Sequence, residues 1–241
     1  AEYGELLYIN IYTEKMLRSV NILRNAKLIN KITVRTFGYR KESDLLGEKE
    51  IPDEALYGVQ TLRGVENYDI TGVKLHHYPN FIKAYAMWKK AAMLANHEIG
   101  LIKDSISNPV IQACDEIIAG QHMEHFVVDM IQGGAGTSTN MNVNEVISNR
   151  ALDIIHKPRG SYDIISPNDH INKCQSTNDS YPSSAKLGMA FHHEPMVNEM
   201  KLLIASLKNK ANEFNDIIKM GRTQLQDAVP MTLGQEFGGY A

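Results

Sequence analysis

Two stretches in the first half of the chain carry apolar residues at every third or fourth position, which is the spacing of an amphipathic helix. The first covers residues 80–99 and ends at Gly100. Its stripe is Phe81, Ala84, Tyr85, Trp88, Ala91, Ala92, Ala95 and Ile99. The second runs from about Pro109 to Ala119 and ends at Gly120. Its stripe is Val110, Ile111, Cys114, Ile117 and Ile118. Both patterns predict helices with one face in a core, where Trp88 and Cys114 are packing residues.

Further along the chain, apolar residues recur at helical spacing from residue 181 to residue 218. A helix of that length spans roughly 50 Å, which is typical of a helical bundle. Pro195 lies inside it and is expected to kink it. A polar loop over residues 221–230 should follow, and a further helix is predicted to begin at Met231. Before residue 80, Pro52 and Gly58 interrupt a polar lead-in that is predicted to be extended and rich in loops.

Residues 133–142 form the first segment that simple packing does not explain, because glycines stand beside several short hydrogen-bonding side chains. Such glycines let backbone amides approach a ligand, and the helical run over residues 143–155 places a helix N-terminus beside them. The segment lacks the Lys-Ser/Thr ending of a nucleotide-binding loop. Gly134, Gly136 and Asp153 nearly match a dinucleotide fingerprint, but Thr139 stands where Gly or Ala is needed. We therefore predict an anion-binding loop, with a plain helix cap as the alternative.

A second polar cluster extends from Asn168, Asp169 and His170 to residues 174–179 and opens the long helix. Two clusters of neutral donors suit a dicarboxylate, since each can hold one carboxylate without a metal or cofactor. Ser176 is also the kind of residue that caps a helix, so the alternative is again a structural role.

The composition places the chain among ordinary globular proteins. Of its 241 residues 43% are apolar and 22% are charged, and 25 basic against 28 acidic residues leave a net charge of −3. This balance argues against a disordered or nucleic-acid-binding protein. Two cysteines are too few for a disulfide framework. The histidines at 122 and 125 and at 192 and 193 lack a convincing third ligand, so no metal site is expected.

Residues 16–41, which begin with Met16 and end with Lys41, hold seven basic residues and no acidic one. Basic residues alternating with apolar ones and without acids are typical of a mitochondrial transit peptide. We therefore predict an N-terminal extension over residues 1–43, with Met16 as a candidate start and the mitochondrial matrix as the location. A basic surface extension of a cytoplasmic protein is the alternative.

From about residue 44 to Ala241 the sequence resembles the aspartase/fumarase superfamily. The resemblance rests on four motifs in family order, at residues 58–63, 133–142, 172–179 and 221–230. It implies a mainly α fold, with an N-terminal lyase domain over residues 44–178 and the first part of a long-helix bundle over residues 179–241. It also implies a homotetramer whose active sites combine several subunits, a small dicarboxylate substrate, and no cofactor, membrane or nucleic acid.

The activity implied by the resemblance is the reversible elimination of ammonia from L-aspartate to give fumarate. By motif matching, Thr137, Ser176, Thr177 and Asn178 would hold carboxylate oxygens, and Thr223 with Gln224 would lie near the leaving amine. Arg222 would orient that loop. The family's serine base would follow Ala241, so we predict a partial chain that is inactive by itself.

Three other functions remain open from the sequence. Fumarate hydratase is one, but fumarases carry His at the position of Gln224, and glutamine cannot act as an acid or base near neutral pH. A nicotinamide oxidoreductase is the second, and it requires the loop at Gly134 to bind a dinucleotide. The third is a half-chain that binds a ligand without catalysis.

Overall fold

The computed structural model describes residues 38–241, and from Tyr39 onward these form one compact unit. Most of the described chain is helical, and its strands form two separate antiparallel hairpins. The predicted fold class is thereby confirmed. Within the described part, no helix is both long and apolar enough to cross a membrane.

The first hairpin pairs strand β1, Tyr39–Asp44, with strand β2, Gly47–Pro52, and helix α1, Val59–Asn67, follows it. Arg40 ties the hairpin to the chain after it, because its guanidinium donates to Glu42 and to the carbonyls of Pro52, Ala55 and Tyr57 at 2.7–3.0 Å. Residues 39–43 of the predicted N-terminal extension over residues 1–43 are part of this paired strand. The rest of the predicted targeting segment, residues 16–37, lies outside the described residues.

Helices α2, Pro79–Glu98, α3, Asp104–Ile118, and α4, Thr137–Ile154, enclose the core. The predicted face of α3 is confirmed, with Cys114 fully buried in it. Its predicted start at Pro109 is wrong, because the helix begins at Asp104, with Asp104 and Ser105 exposed, and Pro109 lies in its second turn. The predicted buried stripe of α2 is confirmed at Tyr85, which is fully buried. It is wrong at its C-terminal end, where Ile99 is exposed.

Helix α4 begins six residues before the start that the apolar pattern predicts. Its first two turns face the core with polar side chains, and these leave no apolar period to detect. The buried polar residues there are Thr139, Asn140, Asn142 and Asn144. Buried amides need hydrogen-bond partners, so this face marks a polar network inside the fold.

Helix α5, Thr177–Glu213, is the predicted long helix, and its 37 residues give a length of about 55 Å. Only the start of α5 is buried, through Ser180, Ser184 and Gly188. The apolar stripe beyond them is exposed in this chain, as at Met196, Met200 and Leu203. Pro182 and Pro195 both lie inside the helix.

After α5 the chain forms a second hairpin, so the prediction of a loop over residues 221–230 is wrong. Strand β3, Ile218–Thr223, pairs with strand β4, Gln226–Thr232, and helix α6, Leu233–Tyr240, begins two residues after the predicted start. The turn residues Gln224 and Leu225 both have positive φ, at 48° and 62°. A two-residue turn of this kind normally uses Asn-Gly, and its absence from the sequence explains the missed hairpin.

Candidate functional site

The glycine loop enters helix α4 through Gly136, which has a left-handed φ of 86° and places Thr137 at the first helical position. Gln132 closes the loop on the other side, because its side chain accepts from Thr139 N at 2.8 Å and donates to Thr139 Oγ1 at 2.7 Å. Gln132 thus satisfies one helix-terminal amide, while the loop glycines keep the approach to the N-terminus open. The predicted loop at a helix N-terminus is confirmed, although the helix begins at Thr137.

The second polar cluster ends at the N-terminus of α5. Ser176 is the cap of that helix, and its hydroxyl accepts from Asn178 N at 3.1 Å. The alternative structural role of Ser176 is therefore real, but a hydroxyl that accepts one hydrogen bond still has its own proton to donate. Upstream, Pro167–Ile171 form one π-helical turn capped by Ser166, and Cys174 has a left-handed φ of 57°.

A hydrogen-bond network joins the two helix starts. Asn140 on α4 donates to Thr177 Oγ1 at 3.2 Å and to Asn172 Oδ1 at 3.0 Å. Its own Oδ1 accepts from the hydroxyls of Tyr85 and Ser180 at 3.1 and 3.2 Å. Because Asn140 is almost fully buried, this network fixes the position of Thr177 relative to α4.

A cleft of about 320 Å³ lies where the two helix starts meet. Gly134 and Gly136 line it from one side and Asn178 from the other, while Gln132 and Tyr181 form part of its wall. Of the predicted loop residues, Asn178 lines this cleft, whereas Thr137, Ser176 and Thr177 are not among its lining residues. The cleft is of a size for a small molecule, and the amide side chains in its lining are those of Gln132 and Asn178.

Thr223 and Gln224 do not reach this cleft within the chain. They lie in the second hairpin, beyond the far end of α5, so the whole length of that helix stands between them and Ser176. Both are exposed, and Arg222 pairs across the hairpin with Asp227 at 3.2 Å. Within the described chain, the predicted loops at residues 133–142 and 172–179 lie next to each other, whereas residues 221–230 lie at the other end of α5.

Two other sequence features have structural roles in the described chain. Asp153, the acidic residue of the near dinucleotide match, pairs with Arg159 at 2.8 Å. Ligand atoms of His122, Glu124 and His125 lie within 4.8 Å of one another. However, Leu56 N donates to His125 Nδ1, so Nε2 carries the ring proton toward Glu124 instead of offering a lone pair to a cation.

Sequence reasoning included Asn140 and Asn172 only as members of motifs, and it did not single out Gln132 or Lys89. Gln132, Asn140 and Asn172 orient the loops, and Lys89 donates to Asn172 and Gln175 from below. The signal available in the sequence was a run of amides and hydroxyls at positions where a helix facing a core should be apolar.

Comparison with known proteins relates the chain to lyases. A family of lyases, Lyase_1, matches residues 47–241. An aspartate ammonia-lyase from Helicobacter pylori is 54% identical over 202 residues, which is 84% of this chain and 43% of that protein. The chain thus spans less than half the length of this curated relative.

Solved structures agree with the sequence comparison. A fumarate lyase:delta crystallin from Brucella melitensis, bound to cobalt, has a TM-score of 0.75 and 50% identity, covering 84% of this chain and 44% of that one. A class II fumarase from Schistosoma mansoni has a TM-score of 0.69 and 38% identity, covering 84% and 43%. All four motifs of the sequence lie within the matched family range.

Proposed function

Since the chain belongs to this family of lyases, we propose that it is part of an aspartate ammonia-lyase, which eliminates ammonia from L-aspartate to give fumarate. The observation that carries the proposal is the 54% identity to an aspartate ammonia-lyase across the residues that build the cleft. The geometry of the cleft supports it, because two helix N-termini with neutral donors suit a small dicarboxylate.

In this proposal the two loops bind the carboxylates of the substrate. Thr137 begins α4, and Ser176, Thr177 and Asn178 begin α5, so each group of donors stands at the positive end of a helix. The donor of Ser176 is free while its oxygen caps the helix, and Asn140 orients Thr177. These side chains bind carboxylate oxygens by hydrogen bonds and bring no further charge.

The same donors serve the chemical step. Removal of a proton from Cβ of aspartate turns the neighbouring carboxylate into an aci-carboxylate, which carries a second negative charge. Preorganised donors stabilise a charge that develops during the reaction more than the ground state, and this difference lowers the barrier. Departure of the amine from the adjacent carbon then completes fumarate.

We place Thr223 and Gln224 near the leaving amine of a site in a neighbouring subunit of a homotetramer. The proposal is supported by their separation from the cleft along α5 and by the exposed apolar stripe of that helix, which a second subunit would bury. We place the serine base outside these 241 residues, so the chain by itself is expected to bind substrate without turnover. Mitochondrial targeting remains a proposal based on residues 16–41 alone.

Fumarate hydratase is the second candidate, because the Schistosoma fumarase is also similar in sequence and fold. Gln224 favours the ammonia-lyase. Addition of water to fumarate needs a group that moves a proton to or from water, and a glutamine amide does not titrate near neutral pH. The protonated amine of aspartate, by contrast, needs only to be held as it leaves.

The test is an assay of the subunit purified from its natural source, supplied with L-aspartate or with L-malate, with fumarate followed by its ultraviolet absorbance. We expect fumarate from aspartate only, and a native subunit whose intact mass exceeds that of the 241-residue chain. Fumarate from malate alone would assign the protein to the hydratases, and no turnover of either would favour a binding protein.

Variants of the same subunit test the site residues. Thr137→Ala and Ser176→Ala each remove one donor and are expected to lower kcat/KM about 100-fold. Ser105→Ala is the matched control, because Ser105 is exposed in the first turn of α3, away from the cleft. Unchanged kinetics in both site variants would refute the assignment of the two loops.

A further inference from the structure

Lys89 is a buried cation for which the described chain supplies no anion. Its side chain is 1% exposed, and Nζ donates to Asn172 Oδ1 at 3.0 Å and to Gln175 Oε1 at 2.9 Å. Within residues 38–241 no carboxylate pairs with it, whereas its neighbour Lys90 pairs with Asp115 at 2.6 Å. A buried charge without a counter-charge is costly, so such groups are paired or lose their charge.

The groups that face Lys89 from the surrounding elements are neutral near pH 7. On its own helix Tyr85 presents its ring 5.7 Å from Nζ, and burial raises the pKa of this phenol. From α3 comes Cys114, whose thiol pKa burial raises to about 12. The 172–175 segment offers the two amide oxygens, and behind Asn172 stands Asn140 of α4. Burial lowers the pKa of Lys89 to about 7.

The position of Lys89 links it to the anion cleft. Gln175 immediately precedes Ser176, and Asn172 is joined through Asn140 to Thr177. The ammonium therefore contacts the residue that precedes Ser176, in the segment that the proposed function assigns to a substrate carboxylate. An anion there is the missing counter-charge.

We propose that Lys89 is the internal counter-charge for a dicarboxylate bound between the two loops, and that it takes up a proton when the anion binds. The inference rests on the proposed function, which supplies the dicarboxylate. Lys89 acts through Asn172 and Gln175 and is therefore a positioning residue rather than a catalytic one.

Thermodynamic linkage between proton binding and anion binding determines whether the affinity for the anion rises or falls with pH. The free protein holds the proton on Lys89 weakly, and an anion near it favours the charged form, so binding and protonation strengthen each other equally. At about pH 7.5 a lysine with a pKa of about 7 is roughly one quarter protonated, which leaves most of a proton to be taken up per anion bound. Affinity for the anion should therefore fall as pH rises through about 7 to 9.

The experiment titrates the 241-residue chain with succinate, a non-reacting dicarboxylate, by calorimetry in two buffers of different ionisation enthalpy. We expect uptake of between about half and three quarters of a proton per succinate at pH 7.5 in the unmodified chain. Lys89→Met should abolish the uptake and weaken succinate binding about tenfold at pH 6, with a flat pH profile. Lys90→Met is the matched control, and it should keep both the uptake and the pH dependence.

The outcomes separate the two proposals. Succinate binding without proton uptake, or uptake that persists in Lys89→Met, overturns the role of Lys89 and leaves the dicarboxylate site standing. Failure of the unmodified chain to bind succinate contradicts the proposed site itself, and the counter-charge falls with it. Should Lys89→Met not fold, the proton count of the unmodified chain decides alone.

Discussion

Replacement of Gly136 by alanine tests whether the close approach of the glycine loop to helix α5 shapes the cleft. A Cβ atom at Gly136 would lie 2.2 Å from Tyr181 Cδ2, and the backbone there has φ +86°. A left-handed conformation costs an alanine roughly 1–2 kcal/mol, and overpacking adds roughly 1–3 kcal/mol. We expect Gly136→Ala to lower the free energy of unfolding by about 2–5 kcal/mol.

Gly134→Ala is the matched control for the steric part of this loss. Its φ of +75° is similar, but the nearest atom to an added Cβ is Thr137 Oγ1 at an ordinary 3.8 Å. This variant should therefore lose only the backbone contribution, roughly 1–2 kcal/mol. The difference between the two variants is the contribution of the contact with Tyr181.

Equilibrium unfolding in urea, followed by circular dichroism, measures both losses if the m-value is unchanged. Adding Tyr181→Ala to Gly136→Ala should restore part of the stability relative to the sum of the single changes, because the ring that clashes has been removed. Succinate binding should weaken more in Gly136→Ala than in Gly134→Ala, since Tyr181 lines the cleft. Equal losses in the two glycine variants, with additive behaviour in the double variant, would refute the reasoning.

Two further predictions concern the ion pairs of the described chain. Arg40→Met should lower the free energy of unfolding by about 3 kcal/mol in urea titrations, because it removes the cation paired with the buried Glu42 and the hydrogen bonds to three carbonyls. Lys41→Met, at an exposed pair, should change it by less than about 0.5 kcal/mol. Similar losses for both would show that the first hairpin is not anchored by Arg40. The hydrogen bonds from Arg150 lower the pKa of Glu116 to about 2, so its stabilising contribution is complete above about pH 4.5 and is lost as pH falls toward 2. Glu116→Gln should remove about 1–2 kcal/mol at pH 7 and less than about 0.5 kcal/mol at pH 2, where the carboxyl is about half protonated, in urea titrations at both pH values. An equal loss at both would contradict the ion-pair explanation.

Apolar spacing predicted the long helices, and around Cys114 of α3 the predicted face is buried in the core. The same method misplaced the start of α4, where Asn140 and Asn144 face the core and pair with other amides. The spacing of apolar residues predicts which apolar side chains are buried. It does not reveal a polar side chain that is buried together with its hydrogen-bond partner. The second hairpin was not predicted for a related reason, because its turn residues Gln224 and Leu225 adopt a left-handed backbone conformation without being glycine or asparagine.

The loop motifs determined the residue types that could bind an anion, because glycines and short hydroxyl or amide side chains at helix starts carry that chemistry locally. Tertiary structure decided which of these motifs meet. It joined Thr177 to α4 through Asn140, placed Lys89 beneath them, and held Thr223 beyond the far end of α5. Distances between elements far apart in the chain depend on how the helices pack. The local sequence therefore specified the donors, and only the packing specified the cleft and the charge beneath it.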